Sequence, residues 1–64
     1  MNSFDEAIKH VPAEAVWSSS FGNPGEAGYW EYHRMPDGTR YVVENSTRNP
    51  GAWSVRILRP IQYT

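Results

Sequence analysis

A chain of 64 residues makes one domain, near the size limit at which a hydrophobic core alone holds a fold, because so short a chain buries only about 60% of its unfolded surface. It has no cysteine, which excludes a disulfide framework or a thiolate metal site as compensation for the small core. The net charge of −1 is unevenly spread: residues 1–33 carry −4, whereas residues 34–64 carry +3 with five arginines and no lysine, a choice that favours forked contacts with carboxylates or phosphates.

Bulk must come from the aromatic residues, three Trp, four Tyr and two Phe, each able to bury roughly 150–250 Å². No apolar run approaches the roughly 20 residues that cross a bilayer, and Met1-Asn2-Ser3-Phe4-Asp5-Glu6 lacks the basic and apolar blocks of a signal peptide. The expectation is a cytoplasmic protein without membrane contact.

Ser3-Phe4-Asp5-Glu6 has the spacing of a capping box, so a helix is expected over 3–17, with Phe4, Ile8, Val11 and Ala15 on one face. Pro12 cannot donate a backbone hydrogen bond and breaks that helix, restarting it as a second short turn. Residues 18–28 are rich in Ser, Gly, Asn and Pro and read as a loop, in which Phe21 is expected to anchor onto the core.

From Tyr29 the apolar period changes to two, and strands are expected at about 29–34, 39–45 and 52–59, joined by Met35-Pro36-Asp37-Gly38 and by a second loop over 45–51. The first hairpin has two candidate registers. A four-residue loop pairing Arg34 with Thr39 sets Trp30, Tyr32, Tyr41 and Val43 on one face and Glu31, His33, Arg40 and Glu44 on the other. A three-residue loop pairing Met35 with Thr39 suits the Pro-Asp-Gly order equally but puts Glu31 and His33 beside Tyr41 and Val43. Since a one-residue slip reverses the faces, the cleaner separation favours the four-residue loop.

The expected fold class is α+β: a short N-terminal helix, broken near Pro12, packed on a three-stranded antiparallel β-meander. Its stripe of Phe4, Ile8 and Val11 would cover a face made by Trp30, Tyr32, Tyr41, Val43, Trp53, Val55 and Ile57. The last four residues, Ile61-Gln62-Tyr63-Thr64, are expected to lie along the sheet edge or fray.

The two histidines, His10 and His33, belong to different elements, and no HExxH, cysteine cluster or glycine-rich phosphate loop accompanies them. The expectation is therefore a non-enzymatic protein without a cofactor or metal. Glu31, His33, Arg40, Glu44 and Arg56 on the polar face, with Arg59 at the strand end, form the expected partner-binding surface. Exposed aromatic and arginine side chains are the types enriched at protein interface hot spots, so another protein is the expected partner. Single-stranded nucleic acid is the alternative, with Arg40, Arg56 and Arg59 on phosphates and Tyr41 and Trp53 on bases, although the negative net charge opposes it. A homodimer that covers an exposed edge strand is also compatible with so small a chain.

Trp30-Glu31, Pro36-Asp37-Gly38, Tyr41, Asn45, Thr47 and Trp53 follow an order and near-spacing that resembles a WW domain, the three-strand module that binds proline-rich peptides. The resemblance covers residues 30–53 and implies a structural Trp30 with a peptide groove walled by Tyr41 and Trp53. Val42, Asn45 and Arg56 depart from the family pattern, standing where a second aromatic, a His and the closing Pro are usual. Residues 50–60, Pro50-Gly51-Ala52-Trp53-Ser54-Val55-Arg56-Ile57-Leu58-Arg59-Pro60, are similar to the last strand of a small bacteriophage inhibitor of host RNA polymerase. That likeness implies a phage or mobile-element protein that blocks a host protein by surface complementarity.

Overall fold

A computed structural model describes residues 1–60, so the tail expected at the sheet edge lies outside the described residues. In chain order the elements are α1 (Phe4–Ile8), β1 (Val16–Phe21), β2 (Trp30–Arg34), β3 (Arg40–Asn45) and β4 (Trp53–Leu58). The strands form one antiparallel sheet in the order β1-β2-β3-β4. A short N-terminal helix on an antiparallel meander was expected; the number of strands is four, not three.

The capping signal sets the start of α1. Ser3 Oγ accepts from the Glu6 N–H at 3.1 Å, and the Glu6 carboxylate accepts from the Asn2 N–H at 3.3 Å. The end comes sooner than the expected helix over 3–17. The N–H groups of His10 and Val11 donate to the carbonyls of Ala7 and Ile8 at 3.0 and 3.1 Å, tightening the chain ahead of Pro12. Pro12 opens a separate turn, closed by the Ala15 N–H on its carbonyl at 3.0 Å.

Residues 16–21, expected as helix end and loop, are β1. Every residue of this edge strand is exposed, and the register jumps between Trp17 and Ser19, leaving Ser18 as a bulge. Neither alternation nor burial therefore marks it. Its existence depends on the ladder with β2, which pairs residues from Phe21 and Trp30 out to Val16 and Arg34 across the 22–29 loop.

The first hairpin takes the three-residue loop, which corrects the expected register. The Met35 N–H donates to the Thr39 carbonyl at 2.8 Å and the Gly38 N–H to the Met35 carbonyl at 3.0 Å. Gly38 has φ +92°, the left-handed position that closes such a loop. Asp37 Oδ1 accepts from the Thr39 N–H at 2.9 Å, and this bond, first among the causes, holds its carboxyl below the usual carboxylate range. Arg34 consequently pairs with Arg40, His33 with Tyr41, Tyr32 with Val42, Glu31 with Val43 and Trp30 with Glu44.

Helix and sheet enclose a small core of Ala7, Tyr29, Val43 and Trp53, against which Phe4, Ile8, Val11 and Val55 pack. Phe4 meets Trp53 edge-on at 5.4 Å between centroids, and Tyr29 meets Trp53 at 6.0 Å. The Phe4, Ile8, Val11 stripe thus points inward as expected, but Trp30 and Tyr32 belong to the other face. Tyr41 and Ile57 share the helix side of the sheet but lie outside this cluster, and Ile57 is exposed.

Asn45 ties the loops to this core. At 2% exposure, its Nδ2 donates to the carbonyls of Glu26 and Pro24 at 3.0 and 3.4 Å, while its Oδ1 accepts from the Gly51 N–H at 2.8 Å. Three backbone groups in two loops depend on one side chain. Asn45→Ala is expected to destabilise the fold by about 2–4 kcal/mol, since it deletes three hydrogen bonds beside a closed core; denaturant unfolding followed by Trp fluorescence measures the loss.

Candidate interaction surface

Because α1 is five residues long and contacts β3 and β4, it covers one side of part of the sheet. No helix or strand among the described residues lies over the opposite side, the open face. That face carries Val16, Ser19 and Phe21 from β1, Trp30, Tyr32 and Arg34 from β2, Arg40, Val42 and Glu44 from β3, and Ser54, Arg56 and Leu58 from β4; Val42 is buried within it, whereas Val16 is exposed.

Its aromatic residues form a stack. Phe21 lies on Trp30 with ring centroids 5.9 Å apart and planes within 16°, and Trp30 lies against Tyr32 at 4.8 Å and 36°. The Arg40 guanidinium sits over the Tyr32 ring, 5.6 Å from its centroid. Trp30 and Tyr32 are half-buried by these neighbours, whereas Phe21, at 64% exposure, forms the outer end. Phe21 is therefore not the core anchor expected from the loop reading. Beside the stack, Arg56 Nε and Glu44 Oε1 are 3.3 Å apart, an exposed pair of small energetic weight.

The expected site residues divide between the two faces. Arg40, Glu44 and Arg56 stand on the open face. Glu31 and His33 stand on the helix side, because the three-residue loop moves them there. Arg59 follows β4 as an exposed residue and adds to the field that favours the charged form of Asp37.

Glu31 is the larger correction. Expected as an exposed polar residue, it is buried, with its carboxylate accepting from the Tyr29 hydroxyl and bonded to His33 Nε2. Residues 29, 31 and 33 point the same way along one strand, so the sheet period itself assembles this chain. Both carboxylate oxygens are used, which is what allows a carboxyl group beneath the core edge. Among the described residues no group of three or more His, Cys, Asp or Glu side chains is placed to hold a metal ion. No helix among them is long and apolar enough to cross a membrane.

Trp53 is buried beneath Phe4 and Tyr29, so it does not offer the wall of an open peptide groove that the WW resemblance implies for it. Phe21 and Arg34, both on the open face, were not among the expected site residues. The signal for Phe21 was an aromatic ring in a breaker-rich segment; for Arg34 it was the alternative register. No family model, curated protein or solved structure matches this chain.

The Tyr29 hydroxyl gives the buried chain a measurable signature. Burial first, then the bond to Glu31 and its charge, push its pKa up from 10.0 to about 12, with a bond to Ser20 pulling the other way. A group that binds its proton more tightly when folded adds stability that is complete below its unfolded pKa and is lost as pH rises to the folded one. Stability is expected to fall as pH rises from roughly 10 through about 12. Tyr29→Phe is expected to flatten that fall in denaturant midpoints measured across the same range.

Proposed function

We propose that this chain is a non-catalytic protein-binding module that engages its partner through the open face of the sheet. One observation carries the reading: the Phe21, Trp30 and Tyr32 rings, ending on Arg40, make a rigid ridge that no helix or strand among the described residues covers. Trp, Tyr and Arg dominate binding energy at protein interfaces, and a pre-stacked set loses little side-chain entropy on docking. Arg56 and Glu44 flank the ridge as polar neighbours. The helix-side polar residues support the same reading, since Tyr29, Glu31 and His33 are engaged with one another rather than presented to a substrate.

Single-stranded nucleic acid fits this face less well. Base-stacking platforms need ring faces turned outward. Here the faces of Trp30 and Tyr32 are engaged by their neighbours. A proline-rich ligand in a Tyr41–Trp53 groove would require Trp53 at the surface, whereas it is 7% exposed. Blocking a host protein by covering its surface, as a phage or mobile-element inhibitor does, is the form of activity that a rigid surface of this kind serves without chemistry.

The test is capture from nuclease-treated bacterial lysate with the wild-type chain, Trp30→Ser, and Ile57→Ser, the last being exposed on the helix side. One stoichiometric protein, retained by Ile57→Ser and weakened at least about 30-fold by Trp30→Ser in a subsequent titration, is the expected result. Capture seen only from lysate left untreated with nuclease, or capture that Trp30→Ser leaves intact while circular dichroism shows a folded chain, overturns the reading.

A further inference from the structure

The open face holds a second feature that the aromatic ridge does not explain. Arg34 and Arg40 stand directly opposite each other across β2 and β3, on the same face. Like charges so placed repel and cost stability, and a neighbouring carboxylate normally relieves them. Among the described residues the ion pairs are His33 with Glu31 and Arg56 with Glu44, so neither arginine of this opposed pair has an acidic partner. Both are exposed, and Arg40 is held over the Tyr32 ring, which fixes its direction.

The surroundings turn the pair into a cleft. Ser18, Ser19, Tyr32, Arg34, Gly38 and Arg40 line an open cavity of ≈ 430 Å³. A regular strand sends successive side chains to opposite faces. The bulge in β1 interrupts that rule at Ser18, and Ser18 and Ser19 both border the cleft. Gly38, held at φ +92° by the hairpin, contributes no side chain to the opposite rim. The lining therefore combines two arginine side chains with serines and a tyrosine, and among the described residues it contains no acidic side chain.

We infer that this cleft is a binding site for a phosphate monoester group. A carboxylate would neutralise one guanidinium and leave the other facing it. A phosphate monoester carries about −1.5 to −2 near neutral pH and three acceptor oxygens, enough for both forks and a hydroxyl at once. The opposed arginines, without an acidic partner among the described residues, the bulge and the glycine rim are separate local departures from regular sheet design that converge on one cleft. This inference goes beyond the protein-binding reading and does not rest on it, because a small phosphate ester probes the cleft without any protein partner.

The probe is phenyl phosphate, titrated at low ionic strength into the isotope-labelled chain and followed by amide and arginine Nε–H resonances. Saturable shifts centred on Arg34, Arg40, Ser18 and Ser19 are expected. Arg34→Gln and Arg40→Gln should each weaken binding about tenfold or more, whereas Arg56→Gln, which removes an equal charge from the same face, should change it less than about threefold. Arg34→Gln is not expected to lower the thermal midpoint, since it removes a repulsion without removing a contact of the aromatic stack. Acetate should give no saturable shift at the same concentration. Shifts that never saturate, equal weakening by Arg56→Gln, or acetate binding as tightly as phenyl phosphate would each overturn the assignment; if one cleft variant fails to fold, the wild-type titration and the other variant still decide it.

Discussion

The hydrogen bond from the Met35 N–H to the Thr39 carbonyl, 2.8 Å long, places every side chain of β2 relative to β3. Side chains alternate across a strand, so a pairing shifted by one residue would exchange the two faces of β2. Pro36 and Asp37 supply the turn and Gly38 the left-handed position that ends it, so three residues of loop chemistry outweigh the apolar pattern of the flanking strands. With that register set, Trp30 and Tyr32 leave the core and Glu31 enters it.

Each of these inversions needs its own compensation, and the structure supplies it locally. Glu31 is buried because Tyr29 and His33, both two residues away on the same strand face, occupy its oxygens. Trp30 and Tyr32 are half-covered because Phe21 and Arg40 close on them from the neighbouring strands. The core taken over by Tyr29, Val43, Trp53 and Ala7 is correspondingly small. Asn45 adds what apolar burial does not supply, joining the 22–28 and 46–52 loops to the sheet through its side-chain amide.

A sheet roofed on only part of one side keeps a broad surface available. On this chain that surface is aromatic where the rings stack and charged where Arg34 and Arg40 oppose each other, and the two features share Tyr32. The bulge in β1 serves this arrangement: it interrupts an otherwise regular edge strand and brings Ser18 and Ser19 to the rim of the cleft.

Local chemistry was legible without coordinates. Ser3 and Glu6 marked the helix start, Pro12 its interruption, and alternation from Tyr29 onward marked three strands close to where β2, β3 and β4 lie, because caps, proline geometry and strand period act within a few residues. Arg40, Glu44 and Arg56 were likewise placed together on one face, since they share parity within β3 and across its pairing with β4. The strand status of Val16–Phe21, the hairpin register and the burial of Glu31 were decided by the tertiary structure. An edge strand interrupted by a bulge shows no period, two loop lengths satisfy the same Pro-Asp-Gly turn, and a carboxylate can be buried only where its partners already stand. All three depend on which backbone lies alongside, a relation that residue type and spacing do not contain.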